Sequence, residues 1–507
     1  MLSSTAAPDN GDRRETSESK NGAADRLPRW PIALALALSF GTAFWGIAQP
    51  EFWHDEVATI SAVTRPFPEL LQMLRNVDAV HALYYVLMHP WAAVFGTSEL
   101  AMRTPSAIAL ILMSGFLTRT TMRWAVSVTG EGVSRSVISG VLTAVLAAAL
   151  PGLTWAGQEA RGYAMGMLAC VVALWCFENY LRGYRRADLL GFGVAQILAV
   201  GFAMYSLLVV PLFVLRAVLA GRKPGLHTLM AAAGVGVAAA PLAVLAYSQS
   251  EQVAWINRGI PEMLQRMAAQ YFFSPANADG HWGGIGHALA PWLALLSAVI
   301  VIVGLIRSRD RGLTRWLLAY ALLPAVALLL ARIVGMQLYT ERYLAFAAPV
   351  VVALLALSLT TLPSRALRMV LIGVLVVGFI PSLVGQKEAE AKIGHEYRTA
   401  AEFLGDPESV IFMEAVDRSL IYAYPLDHPI EDPMLAEDRL SSDTLWGINR
   451  EGWMAWEVPV HGRTAVVSYH SNEYHQTVVE SLEARGCSVT GHDASTRFGI
   501  TALDCSG

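Results

Sequence analysis

Charged side chains are scarce in this chain of 507 residues, at 15%, whereas hydrophobic residues make up 54%. A composition this apolar excludes a disordered protein and an ordinary soluble one. The 37 lysines and arginines are outnumbered by 41 aspartates and glutamates, and no long basic run occurs, so nothing indicates a nucleic-acid partner. Only 4 cysteines are present, which excludes a disulfide framework and a cysteine-rich zinc module. The composition predicts an integral membrane protein in a lipid bilayer.

Long apolar runs divide the chain. Residues 1–28 precede them and are almost free of apolar side chains, which predicts a disordered cytoplasmic tail. The run at 30–48 lacks an A-x-A-like cleavage site, which favours a retained helix over a signal peptide. Further runs bring the prediction to about eleven transmembrane helices within a membrane domain at 29–384. They lie at 105–121, 136–153, 164–181, 189–205, 206–220, 228–247, 288–306, 316–333, 343–361 and 369–384.

Basic residues concentrate in alternate connections between these spans. Short loops rich in arginine and lysine stay cytoplasmic, so the pattern predicts a multi-pass protein of the plasma membrane with a cytoplasmic N-terminus. Eleven spans then leave residues 385–507 outside the cell. The basic residues are Arg119, Arg123, Arg135, Arg182, Arg185, Arg186, Arg222, Lys223, Arg307, Arg309, Arg311, Arg315, Arg365 and Arg368.

The C-terminal segment, 385–507, is polar and differs from the rest. Short β-prone runs alternate with helix-like stretches, which predicts a small extracytoplasmic α/β domain. Cys487 and Cys505 both fall in this segment, on the side of the membrane where disulfides persist, so we expect them to pair. Cys170 and Cys176 fall within a span and are expected to be reduced packing residues.

The first outer loop, residues 50–104, is too long for a simple connector. Its apolar positions recur at helical spacing around 80–95, with His, Tyr and Trp interspersed. This pattern predicts helices that lie in the membrane interface rather than a further complete span. A site formed there would face a substrate carried by lipid.

Acidic residues follow the first span directly. Asp55 and Glu56 stand beside His54 at the start of this loop. Acids at such a position often only solvate or cap a helix start. A carboxylate near an interface also serves as a general base, and Asp78 and His81 later in the loop favour that interpretation. Both interpretations stay open on these residues alone.

Arginines with acidic neighbours recur in the later outer loops. Glu159 and Arg161 lie at the mouth of two spans, Arg258 lies in the loop 248–287, and Arg342 begins a span. The planar guanidinium suits phosphate because it donates two parallel hydrogen bonds. Pairing within a loop explains Glu159 and Arg161 equally well, and snorkelling toward the interface explains Arg342 equally well.

These motifs together resemble the glycosyltransferase C superfamily, in its family 39-like branch, which includes protein O-mannosyltransferases and the lipid A aminoarabinose transferase. WHDEVATI together with DAVHALYYVLMH is most similar to actinobacterial members. The resemblance covers nearly the whole membrane part, about residues 30–384, and is carried by five stretches. They read WHDEVATI, DAVHALYYVLMH, SELAMRTPSA, QEARGYA and YTERYL. The resemblance implies a glycosyltransferase C fold with interfacial helices in the first outer loop.

The resemblance also implies a reaction. Such enzymes transfer a sugar, with inversion, from a polyprenyl-phosphate donor to a hydroxyl on the outer face, and we favour mannose or arabinose. The acceptor is a lipid, glycan or protein of the cell envelope. The sequence agrees, because it has no Gly-rich phosphate loop and no D-x-D triplet of the kind that nucleotide-sugar transferases use. Some relatives bind a divalent metal, but no ligand spacing here predicts one.

The family pattern assigns roles to the residues. Asp55 would be the general base that deprotonates the acceptor, and Glu56 would tune or position it. Arg161 and Arg342, with Arg258 third, would stabilise the charge that grows on the lipid phosphate. The residues expected to line the sugar or acceptor site are His54, Asp78, His81, Tyr84, Glu159, Tyr163, Tyr339 and Glu341.

Two other functions compete with the enzyme. A transporter or flippase of a lipid-linked sugar predicts buried ionisable residues or paired broken helices in related halves, and the sequence has no such internal repeat. A non-catalytic membrane subunit that presents its outer domain to a partner would leave Asp55 and Glu56 dispensable. Both alternatives stay open beside the glycosyltransferase.

Overall fold

The computed structural model describes most of the chain. The described residues are 27–253, 256–272, 281–389, 391–392, 396–451, 458–469, 473–493 and 498–506. The predicted cytoplasmic tail therefore lies, from residue 1 to residue 26, outside the described residues.

The N-terminal part is helical. In chain order the helices are α1 (Trp30–Phe44), α2 (His54–Val63), α3 (Phe67–Asn76), α4 (Ala82–Phe95), α5 (Glu99–Thr129), α6 (Val133–Ala149), α7 (Pro151–Ala156), α8 (Tyr163–Gly183), α9 (Arg186–Phe202), α10 (Val210–Ala220), α11 (Arg222–Ser248), α12 (Ile260–Ala269), α13 (His281–Arg307), α14 (Arg311–Ile333), α15 (Ala348–Thr361) and α16 (Arg365–Gly385). Short 3-10 segments precede three of these helices: Ala79–His81 leads into α4, Met204–Val209 into α10 and Glu341–Ala347 into α15.

The helices follow the predicted spans. Among the described residues, 7 helices are long and apolar enough to cross a membrane. Four further apolar helices are shorter, with 10–17 residues. The structure therefore confirms a polytopic helical membrane protein, while the count of about eleven spans stays a prediction.

Helix α5 begins at Glu99, earlier than the span predicted from residue 105. The side chain of Ser98 caps it by accepting a hydrogen bond from the Ala101 N–H at 3.3 Å. Pro105 has no N–H to donate to the Ala101 carbonyl one turn earlier. The indole N–H of Trp91 donates to that carbonyl instead, at 2.8 Å, so the helix continues through the proline.

The segment predicted as the first outer loop contains helices α2, α3 and α4. Helix α2 is buried from Glu56 to Val63, and its first two residues, His54 and Asp55, are partly exposed. Helix α3 buries only the stripe of Leu70, Met73 and Leu74, which is the pattern of a surface helix. The burial of α2 fixes the position of the acidic residues at its N-terminal end.

The C-terminal part contains a small mixed sheet, which confirms the predicted α/β region. Its four strands run in the order β1-β4-β6-β5, with β1 parallel to β4 and the other pairs antiparallel. The elements are α17 (Tyr397–Leu404), β1 (Ser409–Phe412), α18 (Ser419–Ala423), β2 (Leu435–Glu437), β3 (Ile448–Asn449), β4 (Gly462–Tyr469), α19 (Glu473–Ala484), β5 (Ser488–Asp493) and β6 (Phe498–Cys505).

The bonding state of the four cysteines agrees with the prediction from the sequence. Cys487 and Cys505 form a disulfide, with their Cα atoms 4.2 Å apart, that joins the start of β5 to the end of β6. Cys170 and Cys176 are free thiols buried along α8. The disulfide therefore links the edge strand of the sheet, β5, to its neighbour β6.

The C-terminal domain packs directly on α2. The buried guanidinium of Arg65, just after this helix, donates hydrogen bonds to the backbone carbonyls of Arg439, at 2.6 Å, and Thr444. The hydroxyl of Ser61 donates to the Leu445 carbonyl at 2.6 Å. Residues 438–447 of the C-terminal domain, here called the clasp loop, therefore hold the helix that carries Asp55.

Candidate active site

Asp55 lies in the first turn of α2, where the helix dipole stabilises a negative charge. Its two carboxylate oxygens face two different arginines. Oδ1 is 3.9 Å from Nη2 of Arg161, and Oδ2 is 3.4 Å from Nη2 of Arg342. The structure thus brings together three residues that the sequence separates widely.

Arg161 is shared with a second acid. Its Nη1 lies 3.9 Å from Oδ2 of Asp78 and donates a hydrogen bond to the Tyr85 hydroxyl at 2.6 Å. The same hydroxyl donates to Asp78 at 2.6 Å. Asp78 has a left-handed backbone with φ of 58°, which Asp adopts more readily than most residues. Asp55, Asp78 and Tyr85 together hold the Arg161 guanidinium from several sides.

Arg342 is held by aromatic rings. Its guanidinium carbon is 5.3 Å from the centre of the Trp53 ring and 5.8 Å from that of Tyr343. Rings at this distance attract a cation through their negative faces. Because the rings cover part of the guanidinium, its remaining N–H edge is directed toward polar partners such as Asp55.

The arginines set the charge state of Asp55. Burial alone raises the pKa of this carboxyl, but the positive charges of Arg342 and Arg161 outweigh burial and lower the pKa to about 2. Asp55 is therefore ionised throughout the physiological pH range. An anion that drew the two guanidiniums away from Asp55 would raise its pKa.

Glu56, the next residue, is buried in a separate ion pair. Arg103 holds it with two hydrogen bonds, of 2.9 and 2.7 Å, and the Ala160 N–H donates to it at 2.8 Å. Burial raises the pKa of Glu56, but the charge and hydrogen bonds of Arg103 lower it below the usual range. Since Ala160 lies next to Arg161, Glu56 fixes the loop that carries this arginine relative to α2.

Glu159 links the same loop to the C-terminal segment. The Trp53 indole N–H donates to its Oε2 at 2.7 Å, and Lys392 donates to its Oε1. Lys392 also lies 3.7 Å from Glu56. Burial raises the pKa of Glu159 to about 7, although Lys392 opposes this shift. Two buried carboxylates therefore share one lysine beside Asp55.

The raised pKa of Glu159 predicts a loss of stability with rising pH. The unfolded chain has a carboxyl pKa of about 4.3, so between that value and about 7 the folded protein binds the extra proton. Stability then falls as pH rises through this window. We expect the melting temperature to fall from pH 5 to pH 8 and the slope to be smaller in Glu159→Gln. Glu402→Gln, at an exposed position of α17, is the control; an equal slope in both variants would contradict the prediction.

Comparison with solved structures identifies the fold. ArnT from Cupriavidus metallidurans in the apo state aligns over 93% of this chain and 97% of its own, with a TM-score of 0.56 and 14% identity. The same protein bound to undecaprenyl phosphate gives a TM-score of 0.54. The arabinofuranosyltransferase AftD from Mycobacteria aligns over 96% of this chain and 40% of its own, at 0.52 and 14% identity. The chain has the glycosyltransferase C fold. No family model and no curated protein sequence matches it.

Within this glycosyltransferase C fold, the other predicted site residues divide into two groups. The His81 ring lies 6.0 Å from that of Tyr85, whose hydroxyl bonds both Arg161 and Asp78. Tyr163 is the first residue of α8. Tyr163 also stacks on Trp155, with ring centres 5.2 Å apart. Tyr84 is fully buried, with its ring centre 6.3 Å from that of Tyr85.

The C-terminal domain adds aromatic residues beside the site. The Trp446 ring of the clasp loop lies 5.3 Å from the ring of His54. Trp446 in turn stacks on Tyr422, with ring centres 6.0 Å apart. His54 therefore lies between Asp55 and an aromatic pair that the domain supplies.

The predicted residues Arg258, Tyr339 and Glu341 form a neighbouring cluster. Arg258 Nη1 is 3.0 Å from Glu341 Oε2, and Arg266 Nη1 is 2.7 Å from Glu341 Oε1. Tyr339 donates to Gln270 at 3.1 Å. The structure thus places the Arg258 charge against Glu341, whereas Arg161 and Arg342 are the arginines paired with Asp55.

Five residues of the site escaped the sequence analysis. Trp53 and Arg103 lie inside the motifs that drew attention to Asp55, so a closer inspection of those motifs could have included them. Tyr85 follows Tyr84 and could have been found in the same way. Lys392 and Trp446 lie in the C-terminal segment, and no local pattern connects them with Asp55.

Metal ligands are not grouped in the part of the chain that the structure describes. Within that part, no group of three or more His, Cys, Asp or Glu residues is placed to hold a metal ion. Asp55 and Asp78 both lie within 4 Å of Arg161, and Arg342 lies 3.4 Å from Asp55, so two guanidiniums face the two acidic side chains. The Asp55 carboxylate thus lies between two guanidiniums, one of which is shared with Asp78.

Proposed function

We propose that this chain is an inverting membrane glycosyltransferase that moves a sugar from a polyprenyl-phosphate donor to a hydroxyl of a cell-envelope acceptor. The observation that carries the proposal is the ionised Asp55 between Arg161 and Arg342. ArnT, which shares the fold, was solved with undecaprenyl phosphate bound, which supports a donor of this class. AftD is an arabinofuranosyltransferase, which supports arabinose beside mannose as the sugar.

The two arginines would hold the donor phosphate. Cleavage of the sugar–phosphate bond leaves a second negative charge on the lipid phosphate as the transition state forms. Both guanidiniums are largely buried, where a charge interaction is stronger than in water. Donors already aimed at the developing charge lower the barrier without reorganisation.

Asp55 would act as the general base. The acceptor hydroxyl attacks the anomeric carbon from the face opposite the phosphate, Asp55 takes the hydroxyl proton, and the bond to the phosphate breaks. The configuration at the anomeric carbon is therefore inverted. The donor phosphate would compete with Asp55 for Arg161 and Arg342, so the pKa of Asp55 would rise from about 2 and make it a stronger base only in the donor complex.

Glu56 and Glu159 would position these groups instead of reacting. Glu56 ties α2 to the backbone N–H of Ala160, and Glu159 bonds Trp53, whose ring contacts Arg342. The acceptor would approach past His54 and Trp446, under the C-terminal domain. By the predicted orientation, this face of the protein is the outer face of the plasma membrane.

A transfer assay tests the proposed function. Purified full-length protein is reconstituted with radiolabelled polyprenyl-phosphate mannose or polyprenyl-phosphate arabinose and with cell-envelope fractions as acceptors. We expect label to move from one donor into an acceptor fraction, with the anomeric configuration inverted in the product. Donor that binds but yields no labelled product, or intact donor that crosses the liposome membrane unchanged, would contradict the proposal.

Arg342→Gln tests the phosphate-binding role. Loss of one preorganised donor to a developing charge lowers kcat by about 10²–10³-fold in comparable sites, so we expect a loss of this size with a raised KM for the donor. Arg75→Gln on α3, where the arginine is exposed, is the control and should transfer at the wild-type rate. Equal kcat in both variants would remove Arg342 from the mechanism.

A further inference from the structure

A groove opens at the end of the membrane domain opposite to the Asp55 site. Its volume is about 590 Å³, and it lies between α1, α5 and α8. It begins at the N-terminal end of α1, beside Arg29, whereas Asp55 follows the C-terminal end of the same helix. Since α1 has 15 residues and rises about 1.5 Å per residue, roughly 22 Å separates the two places.

The walls of the groove are apolar. They are formed by Ile32, Ala33 and Leu36 of α1 and by Leu112 and Phe116 of α5. Gly115 lets the two helices approach, because a Cβ at this position would lie 3.0 Å from a Leu36 methyl group. Ala33 and Leu112 are exposed, as expected of a surface that faces lipid chains.

Three arginines surround one end of this apolar trough: Arg29, Arg119 and Arg123. No carboxylate is among its lining residues that the structure describes. The Nη1 of Arg119 is buried and has no hydrogen-bond acceptor among the described residues. A buried donor without a partner is costly, so the groove favours a ligand that supplies an anionic oxygen.

We propose that this groove binds an anionic phospholipid of the surrounding bilayer, with its phosphate at the three arginines and an acyl chain along the apolar wall. The ligand needs both parts, because the positive charge and the trough adjoin each other. A groove between membrane helices with basic residues at one end is the arrangement that recognises anionic headgroups. By the predicted orientation the lipid belongs to the cytoplasmic leaflet, so it is distinct from the proposed donor.

The test uses probes that distinguish the contribution of the phosphate charge from that of the acyl chains. Full-length protein is delipidated in detergent, and binding is measured by native mass spectrometry for dioleoylphosphatidylglycerol, dioleoylphosphatidylcholine and inorganic phosphate. We expect phosphatidylglycerol to bind at least tenfold more tightly than phosphatidylcholine, and inorganic phosphate not to bind measurably. A nearby arginine contributes about fivefold in affinity, so Arg119→Gln should weaken phosphatidylglycerol by at least that factor.

Two further variants keep the result interpretable. Ala33→Phe fills the trough without a change of charge and should weaken both lipids. Arg315→Gln removes an exposed arginine of α14 outside the groove and should leave binding unchanged. Equal phosphatidylglycerol binding in wild type, Arg119→Gln and Ala33→Phe would overturn the proposal. Inorganic phosphate that binds equally well to the wild type and to Ala33→Phe would also overturn it. Lipid binding that appears only after removal of residues 1–26 would overturn it as well, because the groove would then be the binding site of the N-terminal segment.

Discussion

Asp55→Asn is expected to lower kcat for sugar transfer by about 10²–10⁴-fold, the range in which a positioned general base contributes. The amide keeps the size of the side chain but cannot take the acceptor proton. Donor binding should be retained or become tighter, because Asp55 no longer competes with the donor phosphate for Arg161 and Arg342. The measurement is kcat for transfer together with the Kd of the labelled donor at matched protein concentration.

This combination separates a catalytic role from a structural one. A misfolded variant would lose donor binding together with transfer, whereas loss of the base affects kcat alone. Asp427→Asn, at an exposed position in the C-terminal domain, is the matched control and should behave as wild type. If Asp55→Asn transfers sugar at the wild-type rate, the general base is another group.

Arg103→Met is expected to have the largest effect on stability. It leaves the Glu56 carboxylate buried without its principal cation and removes the hydrogen bonds to the carbonyls of Ile47, Pro50 and Glu51. Breaking a buried ion pair from one side costs about 3–5 kcal/mol. The free energy of unfolding can be followed by titration with sodium dodecyl sulfate in mixed micelles.

A double variant and a surface variant isolate this effect. Removing both charges, in Arg103→Met with Glu56→Gln, should restore part of the stability because no uncompensated charge remains. Arg463→Gln breaks only exposed ion pairs, with Asp406 and Glu408, and should cost less than about 1 kcal/mol. If Arg103→Met were as stable as Arg463→Gln, the buried pair would not hold the loop as described.

The membrane helices could be predicted because a bilayer imposes a simple rule on composition and length. Each predicted span overlaps a helix of the structure, although the span predicted at 136–153 is interrupted at Leu150, and 7 helices among the described residues are long and apolar enough to cross a membrane. The start of α5 could not be predicted, since Pro105 favours a helix boundary and only the tertiary contact of Trp91 with the Ala101 carbonyl removes that constraint. Predictions from local pattern fail where a distant side chain supplies the missing partner.

The site residues likewise divide into those that local motifs could predict and those that depend on distant contacts. Asp55, Arg161 and Arg342 could be proposed because each lies in a motif at a helix end, and the structure places each arginine within 4 Å of Asp55. Lys392 could not, because no motif surrounds it and its partner Glu159 lies 233 residues away along the chain. Hydropathy gives no information on which buried charges pair, since pairing depends on how helices pack.

The contact between Lys392 and Glu159 has a consequence for the order in which the protein is made. It spans 233 residues, so at about 5–20 residues per second Lys392 leaves the ribosome roughly 10–50 s after Glu159. During that interval Arg103 is available to the buried acids but Lys392 is not, and Arg65 still awaits the carbonyls of the clasp loop. Translation must therefore pass the last membrane helix before the polar interior is complete, so a nascent chain inserts first and acquires its finished site last.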